Sequence, residues 1–147
     1  MRHKVHLSWQ ILQLLSSIMK KQRISPSLFL QLGTELKGKR LSSRKTNLRR
    51  FKAWYGIDWN VMSGVWSLLN SSGWIEKKIK KRKPNPIHLL WALSFLKAYL
   101  KEEEHAADVG KEPKTFRKWA WLYCEGIGSL VSRIVSHFYY FQLLLFV

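Results

Sequence analysis

Cysteine is almost absent from this sequence. Cys124 is the single cysteine among 147 residues, so no disulfide can form within the chain and nothing points to secretion. The five histidines have no cysteine companions at paired zinc-ligand spacing. A secreted fold stabilised by disulfides within the chain is therefore excluded, and a zinc-binding module has no support. We expect the protein to be in a reducing compartment.

Acidic residues are also scarce. Nine Asp and Glu stand against 26 Lys and Arg, which gives a formal net charge of +17. This imbalance favours a polyanionic partner, either nucleic acid or an anionic membrane surface, whereas an acidic small substrate would not need it. Because 46% of the residues are hydrophobic and eight are tryptophan, the chain is nevertheless expected to fold, as one domain.

Long hydrophobic runs are missing as well, since no apolar stretch reaches the roughly 18 residues of a membrane-spanning helix. Residues 1–23 place apolar side chains at helical spacing and predict an N-terminal amphipathic helix rather than a signal peptide. Residues 131–147 form a short apolar tail. Membrane association is therefore the less favoured hypothesis, and it takes the form of a small basic helical protein attaching to anionic membranes through this tail.

The sequence lacks the apolar and polar alternation that predicts β-strands. Helix starts are frequent instead. Ser25 followed by Pro26, Asp58 before an apolar helical stretch, and Asn85 followed by Pro86 each match the residue preferences of a helix N-terminus. The predicted fold class is all-α, a small helical bundle containing a helix-turn-helix.

One helix is expected to occupy the centre of this bundle. Residues 87–100 are apolar in nearly every direction around the helix axis, which is typical of a helix covered on all sides. Leu90, Leu93 and Leu96 are therefore predicted to be buried. Residues 77–86, which precede this helix, are interpreted as a polybasic connector.

Residues 102–121 have the layout of a helix-turn-helix. In this frame, Ala106 takes the small-residue position where the two helices cross and Gly110 takes the turn position, while Phe116 and Trp119 provide the rings that pack inside. Because this residue spacing is not specific to DNA-binding proteins, the alternative is a helical hairpin whose basic side only faces solvent.

The second helix of this frame has two chemically different sides. At about 100° per residue, its cations separate from its large rings, and the cations are left free to meet phosphates or guanine edges in a major groove. The acids at 102–104 complement the dipole of the first helix, and we expect them to lie away from the basic side. The predicted DNA-binding residues of this helix are Lys114, Thr115, Arg117, Lys118 and Trp121.

Two further basic clusters widen the predicted interface and suggest a nuclear location. The first cluster adjoins aromatic residues and is predicted to contact DNA phosphates through Arg44, Lys45, Arg49 and Arg50. The second cluster is compatible both with phosphate contact and with a nuclear-import signal, and consists of Lys77, Lys78, Lys80, Lys81, Arg82 and Lys83.

Catalytic motifs have little support. The sequence has no glycine-rich phosphate loop and no serine in a nucleophile-elbow setting, and the histidines and Cys124 are interpreted as structural. We therefore predict no catalytic residue, no bound metal, no cofactor and no small-molecule substrate. A dispersed carboxylate site for two metals is not excluded by spacing alone, but nothing positively indicates one.

Three stretches resemble successive blocks of the N-terminal helical region of PIF/Harbinger-type DDE transposases: RRFKAWYGIDWNVMSGVWSLL, PIHLLWALSFLKAYLKEEEHA and KTFRKWAWLYCEGI. The resemblance covers residues 24–130, and HLLWALSFLKAY and KTFRKW carry most of its weight. It implies a helix-turn-helix DNA-binding region at 102–121, ahead of an RNase H-like nuclease domain in which three dispersed carboxylates bind two divalent metals.

The sequence stops before such a nuclease domain, so no catalytic residue is carried over. The tail at 131–147 resembles a shifted or unspliced reading frame, and we expect it to be unfolded or out of frame. The prediction is a truncated, catalytically inactive DNA-binding fragment of a transposon-derived protein. Its expected partners are double-stranded DNA and a separate nuclease domain or full-length transposase. The alternative is an active transposase for which the C-terminal end of the protein sequence is wrongly assigned. Reading the downstream coding sequence in all frames would distinguish the two.

Overall fold

The protein is a small helical bundle. The computed structural model describes residues 24–80, 82–98 and 100–145, without the side chains of 133–141 and 144–145. Over these residues it has no β-strand, which confirms the predicted all-α fold class. The predicted amphipathic helix at 1–23 lies outside the described residues. In chain order, the helices are α1 Pro26–Leu36, α2 Arg44–Tyr55, α3 Trp59–Ser71, α4 Trp74–Ile79, α5 Pro86–Ala98, α6 Glu102–Asp108 and α7 Pro113–Leu145.

Two of the three predicted helix caps are made as expected. The Asp58 carboxylate accepts a 2.9 Å hydrogen bond from the Val61 amide, and the Asn85 side chain accepts a 3.0 Å bond from the Ile87 amide. Ser25 differs, because its hydroxyl lies 2.7 Å from the Ser27 hydroxyl and makes no cap bond to the α1 backbone. The start of α1 therefore depends on the fixed backbone angle of Pro26 rather than on a side-chain cap.

The central position of α5 is confirmed. Six consecutive residues, 89–94, are buried, so this part of the helix is covered on all sides. The helix ends at Ala98, and Leu96 is 43% exposed, so the prediction that Leu96 is buried is wrong. The reason is that the covering helices enclose only the middle of α5, and its last turn reaches the surface.

Two hydrophobic clusters meet on α5. The larger cluster is built from α1 to α5 and α7, and Phe29, Phe51 and Leu89 are completely buried in it. The smaller cluster joins α5 to α6 and α7 through Trp91, Ala106, Phe116 and Ala120. Because α7 contributes to both clusters, its first half is held firmly against the bundle.

The basic segment before α5 is partly helical rather than a plain connector. Ile75 and Ile79, four residues apart in α4, are buried, which places them on one face of a helical turn. Their burial against α3 and α7 stabilises this short helix despite its lysines. The prediction of a connector at 77–86 is therefore wrong for its first residues.

Helix α7 is 33 residues long and continues through the boundary predicted at residue 131. The expected unfolded tail is therefore helical as far as Leu145. At 1.5 Å per residue the helix measures about 50 Å, which is longer than a small bundle is wide. Over the described residues, no helix is long and apolar enough to span a bilayer.

Candidate nucleic-acid interface

The turn between α6 and α7 is set by a glycine, as the sequence predicts. Gly110 has a φ of +65°, the left-handed region that residues with a side chain rarely occupy. Its amide donates to the Ala107 carbonyl at 3.1 Å, and the Lys111 amide donates to the Ala106 carbonyl at 2.9 Å. These bonds satisfy the last carbonyls of α6 and turn the chain into α7. We refer to residues 102–121 as the α6–α7 unit.

Inside the α6–α7 unit, one small residue and a stack of rings fix how the helices meet. Ala106 is fully buried. The imidazole of His105 lies parallel to the Phe116 ring, with 5.6 Å between centroids and 2° between planes. Phe116 in turn lies 5.7 Å from Trp91 on α5. This packing ties the orientation of α7 to both α5 and α6.

The opposite side of α7 carries the residues predicted to contact DNA. Phe116, Ala120 and Tyr123 are each at most 1% exposed, and they take up the side that faces the bundle. The predicted residues in the first turns all lie in solvent: Lys114, Thr115, Arg117, Lys118 and Trp121. All five predicted residues therefore occupy one accessible surface of one helix, which we call the α7 basic side.

Glu102 also takes part in this surface, which the sequence analysis did not predict. The Arg117 Nε donates to one Glu102 carboxylate oxygen, and the Trp121 indole nitrogen donates to the other at 3.0 Å. The hydrogen bond from Trp121, followed by that from Arg117, lowers the pKa of Glu102 below its ordinary value. The expectation that the acids at 102–104 lie away from the basic side is therefore wrong for Glu102.

Trp119 connects the α7 basic side to the basic run at 77–83, which we call the polybasic segment. Its ring stacks on His88 of α5, with 4.3 Å between centroids and 10° between planes. The Lys118 ammonium lies 5.1 Å from the Trp119 ring centroid, and the Arg82 guanidinium lies 6.0 Å from it. Trp119 is thus only half-buried, and cations from two chain segments meet at its ring.

The described cations of the polybasic segment are exposed. Within α4, the Lys78 ammonium lies 4.9 Å from the ring centroid of Trp74, one turn earlier in the same helix. Lys81 lies outside the described residues. The described members of the nuclear-import candidate are all in solvent: Lys77, Lys78, Lys80, Arg82 and Lys83.

The α2 cluster stands on a separate helix. Phe51 and Tyr55 anchor α2 in the core, and the Tyr55 hydroxyl donates to the Gly33 carbonyl at 2.7 Å. On its outer side Arg44, Lys45 and Arg49 are exposed and Arg50 is half-buried. These cations belong to α2 rather than to the α7 basic side, and both helices pack on α5.

Burial shifts the pKa values of two described titratable side chains. Burial lowers the pKa of His88 to about 4 and raises the pKa of the Cys124 thiol to about 11, which keeps the imidazole neutral and the sulfur protonated near pH 7. Over the described residues, no three His, Cys, Asp or Glu side chains are grouped closely enough to hold a metal ion.

A groove of about 480 Å³ lies beside the α6–α7 unit, between the end of α1 and α5. Lys37, Ser94 and His105 line it together with the carboxylates of Glu35 and Asp108. Because acids accompany its lysine, the groove offers no concentrated positive charge for a phosphate.

Sequence reasoning missed the Glu102 contacts and the approach of Arg82 to Trp119. Glu102 is separated by 15 residues from Arg117 and by 19 from Trp121, beyond the reach of any local helical rule. Helix α4 could have been found, since the spacing of Ile75 and Ile79 was visible between the lysines. No protein-family model, curated protein or solved structure matches this chain.

Proposed function

We propose that this protein binds double-stranded DNA, with the α6–α7 unit acting as a helix-turn-helix whose second helix enters the major groove. The observation that carries the proposal is the division of α7 into a buried side of large rings and the exposed α7 basic side. A recognition helix needs both properties, because it must be fixed to the fold and still present its side chains to the base edges.

The members of the α7 basic side have different roles in this proposal. Lys114 and Lys118 neutralise phosphates, while Arg117 reads a guanine edge through two hydrogen bonds. Thr115 supplies a hydroxyl and a methyl group, and the 47% exposed Trp121 ring adds an apolar contact with the groove. The position of these residues on consecutive turns of one helix supports a shared binding surface.

The polybasic segment extends this surface in the proposal. Arg82 and Lys118 meet at the ring of Trp119, so positive charge continues from α7 into the segment before α5. The exposed lysines of that segment would then contact phosphates beside the groove that α7 enters, and the α2 cations would add contacts from a second helix. The same segment is accessible as a nuclear-import signal, which supports a nuclear location.

The origin that we propose is a PIF/Harbinger-type transposase, on the resemblance of residues 24–130 to the N-terminal region of that family. Such a chain supplies the DNA-binding part, and a nuclease domain or full-length transposase is its proposed partner. It is inactive by itself in this proposal, so terminal-repeat DNA incubated with the purified chain and magnesium or manganese should remain intact. Metal-dependent nicking that a carboxylate substitution abolishes would contradict the proposed lack of activity.

A second candidate function is attachment to anionic membranes through the end of α7, where Val131 is 55% and Leu143 is 63% exposed. Flotation with phosphatidylserine vesicles in the presence and absence of duplex DNA separates the two functions. We expect the protein to remain with the DNA. Its recovery with vesicles when duplex is in excess would favour the membrane instead.

The DNA proposal is tested by titrating a labelled duplex at increasing salt. If about six to ten phosphates are contacted, the affinity should fall by about 10³ to 10⁵ between 50 and 200 mM salt. Arg117→Ala should reduce the binding free energy by about 1–3 kcal/mol for a duplex selected by the protein, and by less for a scrambled duplex. Absence of binding at low salt would contradict the proposal.

A further inference from the structure

One carboxylate holds two side chains of the α7 basic side. The Arg117 Nε and the Trp121 indole nitrogen each donate to a separate oxygen of Glu102. Arg117 and Trp121 lie four residues apart, so the carboxylate spans one turn of α7 from its place at the start of α6. Both side chains are thereby connected to the helix that packs against α7.

The contact leaves the recognition edge of Arg117 available. A guanidinium has five N–H donors, of which Nε carries one and the two terminal nitrogens carry the other four. The terminal pair is the edge that matches O6 and N7 of guanine. The Arg117 side chain is 56% exposed, and its bond to Glu102 is made by Nε rather than by a terminal nitrogen.

We infer that Glu102 is a positioning residue that determines the sequence specificity of the α7 basic side, an inference that rests on the proposed DNA binding. By holding Nε, it presents the terminal nitrogens of Arg117 in one direction before DNA arrives, so less side-chain freedom is lost when guanine is bound. By bringing a negative charge beside Arg117, it weakens the attraction of this cation for phosphates, which are the same in every sequence.

The neighbouring acids provide a control that distinguishes the positioning of Arg117 by Glu102 from a general effect of negative charge. Glu103 and Glu104 share the first turn of α6 with Glu102 and complement the same helix dipole, and both are exposed. Neither takes part in the ion pair with Arg117, in which the carboxylate is that of Glu102. Glu103→Gln therefore removes one charge from the same turn without releasing Arg117, and it is a matched control for Glu102→Gln.

The experiment measures the affinity ratio between a duplex that the wild-type chain selects from a random pool and a scrambled duplex of the same composition. Glu102→Gln should strengthen binding to the scrambled duplex several-fold and make that binding more dependent on salt. It should also lower the ratio of selected to scrambled affinity by about tenfold, which is the discrimination that one bidentate contact with guanine supplies. Glu103→Gln should change both affinities by the same factor and leave the ratio as it is. Glu102→Asp keeps the charge, and we expect it to recover part of the ratio.

Two outcomes overturn the inference: an unchanged ratio in Glu102→Gln, or an equal change in Glu103→Gln. The indole N–H resonance of Trp121 in the DNA-free protein gives an independent readout, because it should move in Glu102→Gln and stay in place in Glu103→Gln. If the wild-type chain binds no duplex at all, the proposed function fails. If it binds selectively and the ratio does not depend on Glu102, only the role of Glu102 fails.

Discussion

At the scale of single residues, three aromatic side chains of α7 have three different environments. Phe116 is 1% exposed, Trp119 is half-buried against His88, and Trp121 is 47% exposed beside Glu102. Helical spacing alone assigned Phe116 and Trp119 to the same inner side. The structure separates them, because α5 and α6 enclose Phe116 whereas Trp119 lies where two cations reach its ring.

Phe116 is therefore a residue of α7 on which stability should depend strongly. Phe116→Ala removes a ring that contacts Trp91, Phe95 and His105, and it should lower the free energy of unfolding by about 3–5 kcal/mol. Val131→Ala on the same helix is the control, since this side chain is 55% exposed and should change stability by less than about 0.5 kcal/mol. Equal losses in urea denaturation would show that Phe116 is not a core residue.

His88 should make stability depend on pH. Burial lowers its pKa from 6.5 to about 4 in the folded protein, so protons bind more readily to the unfolded chain. The stability that depends on neutral His88 is fully present above about pH 6.5, and it is lost as the pH falls towards 4. Because the ring keeps some contact with solvent, we expect a loss of about 1–2 kcal/mol, below the full value for such a shift.

The comparison of wild type with His88→Gln isolates this effect. Burial also lowers the pKa of His105, but His105 is present in both proteins and its contribution cancels in the difference. Urea denaturation of the two proteins between about pH 7 and pH 4.5 should show the larger loss in wild type. The same pH dependence in both would mean that His88 titrates normally in the folded state.

At the scale of elements, Gly126 allows α7 to approach α3 and α4. A Cβ atom at this position would lie 2.8 Å from the Trp74 ring and 2.9 Å from Leu69 Cδ2, which is closer than packed atoms come. In the sequence, Gly126 and Gly128 are two equivalent glycines of a GIG stretch. Only the packing of α7 distinguishes them, because a Cβ at Gly128 would meet nothing within 4 Å.

The two glycines should therefore respond in opposite directions to alanine. Gly126→Ala should lower the free energy of unfolding by about 1–3 kcal/mol, since Trp74 and Leu69 have to move away. Gly128→Ala, within the same helix, should raise it by about 0.5–1 kcal/mol through better helix propensity. Thermal denaturation of the two variants tests the pair, and stabilisation by both would show that α4 does not pack closely on α7.

At the scale of the whole molecule, the positive charge is spread over α2, the polybasic segment and α7, and the net charge is +17. Nine acids cannot offset this charge, and one of them, Glu102, is already engaged by Arg117. The contact of Arg82 with Trp119 makes the polybasic segment the closest addition to the α7 basic side. Its contribution to the proposed DNA binding should therefore be electrostatic and independent of sequence.

Replacing the four described lysines of this segment by glutamine tests that contribution: Lys77, Lys78, Lys80 and Lys83. Binding to selected and scrambled duplexes should weaken by the same factor, and the salt slope should flatten by about 0.9 for each phosphate that the variant no longer neutralises. Arginine at the same four positions keeps the charge and should preserve both affinities. Weaker binding confined to the selected duplex would indicate base contacts instead.

The sequence by itself determined the helical class, most helix starts and the turn at Gly110. These features depend on residues within one or two turns of each other, such as Asp58 and the Val61 amide that it caps. Because both partners of such a contact are neighbours in the chain, the contact can be predicted from the sequence. The division of α7 into an inner and an outer side was also predictable, since the helical repeat fixes it once the helix forms.

Only the tertiary structure decided which side chains meet on the proposed interface. The engagement of Arg117 and Trp121 by Glu102, and the approach of Arg82 to Trp119, join residues from different helices or segments. The same is true of the exposed end of α5 and the different roles of the two glycines in α7. Such pairs result from how the helices pack around α5, and no periodicity within one segment contains that information.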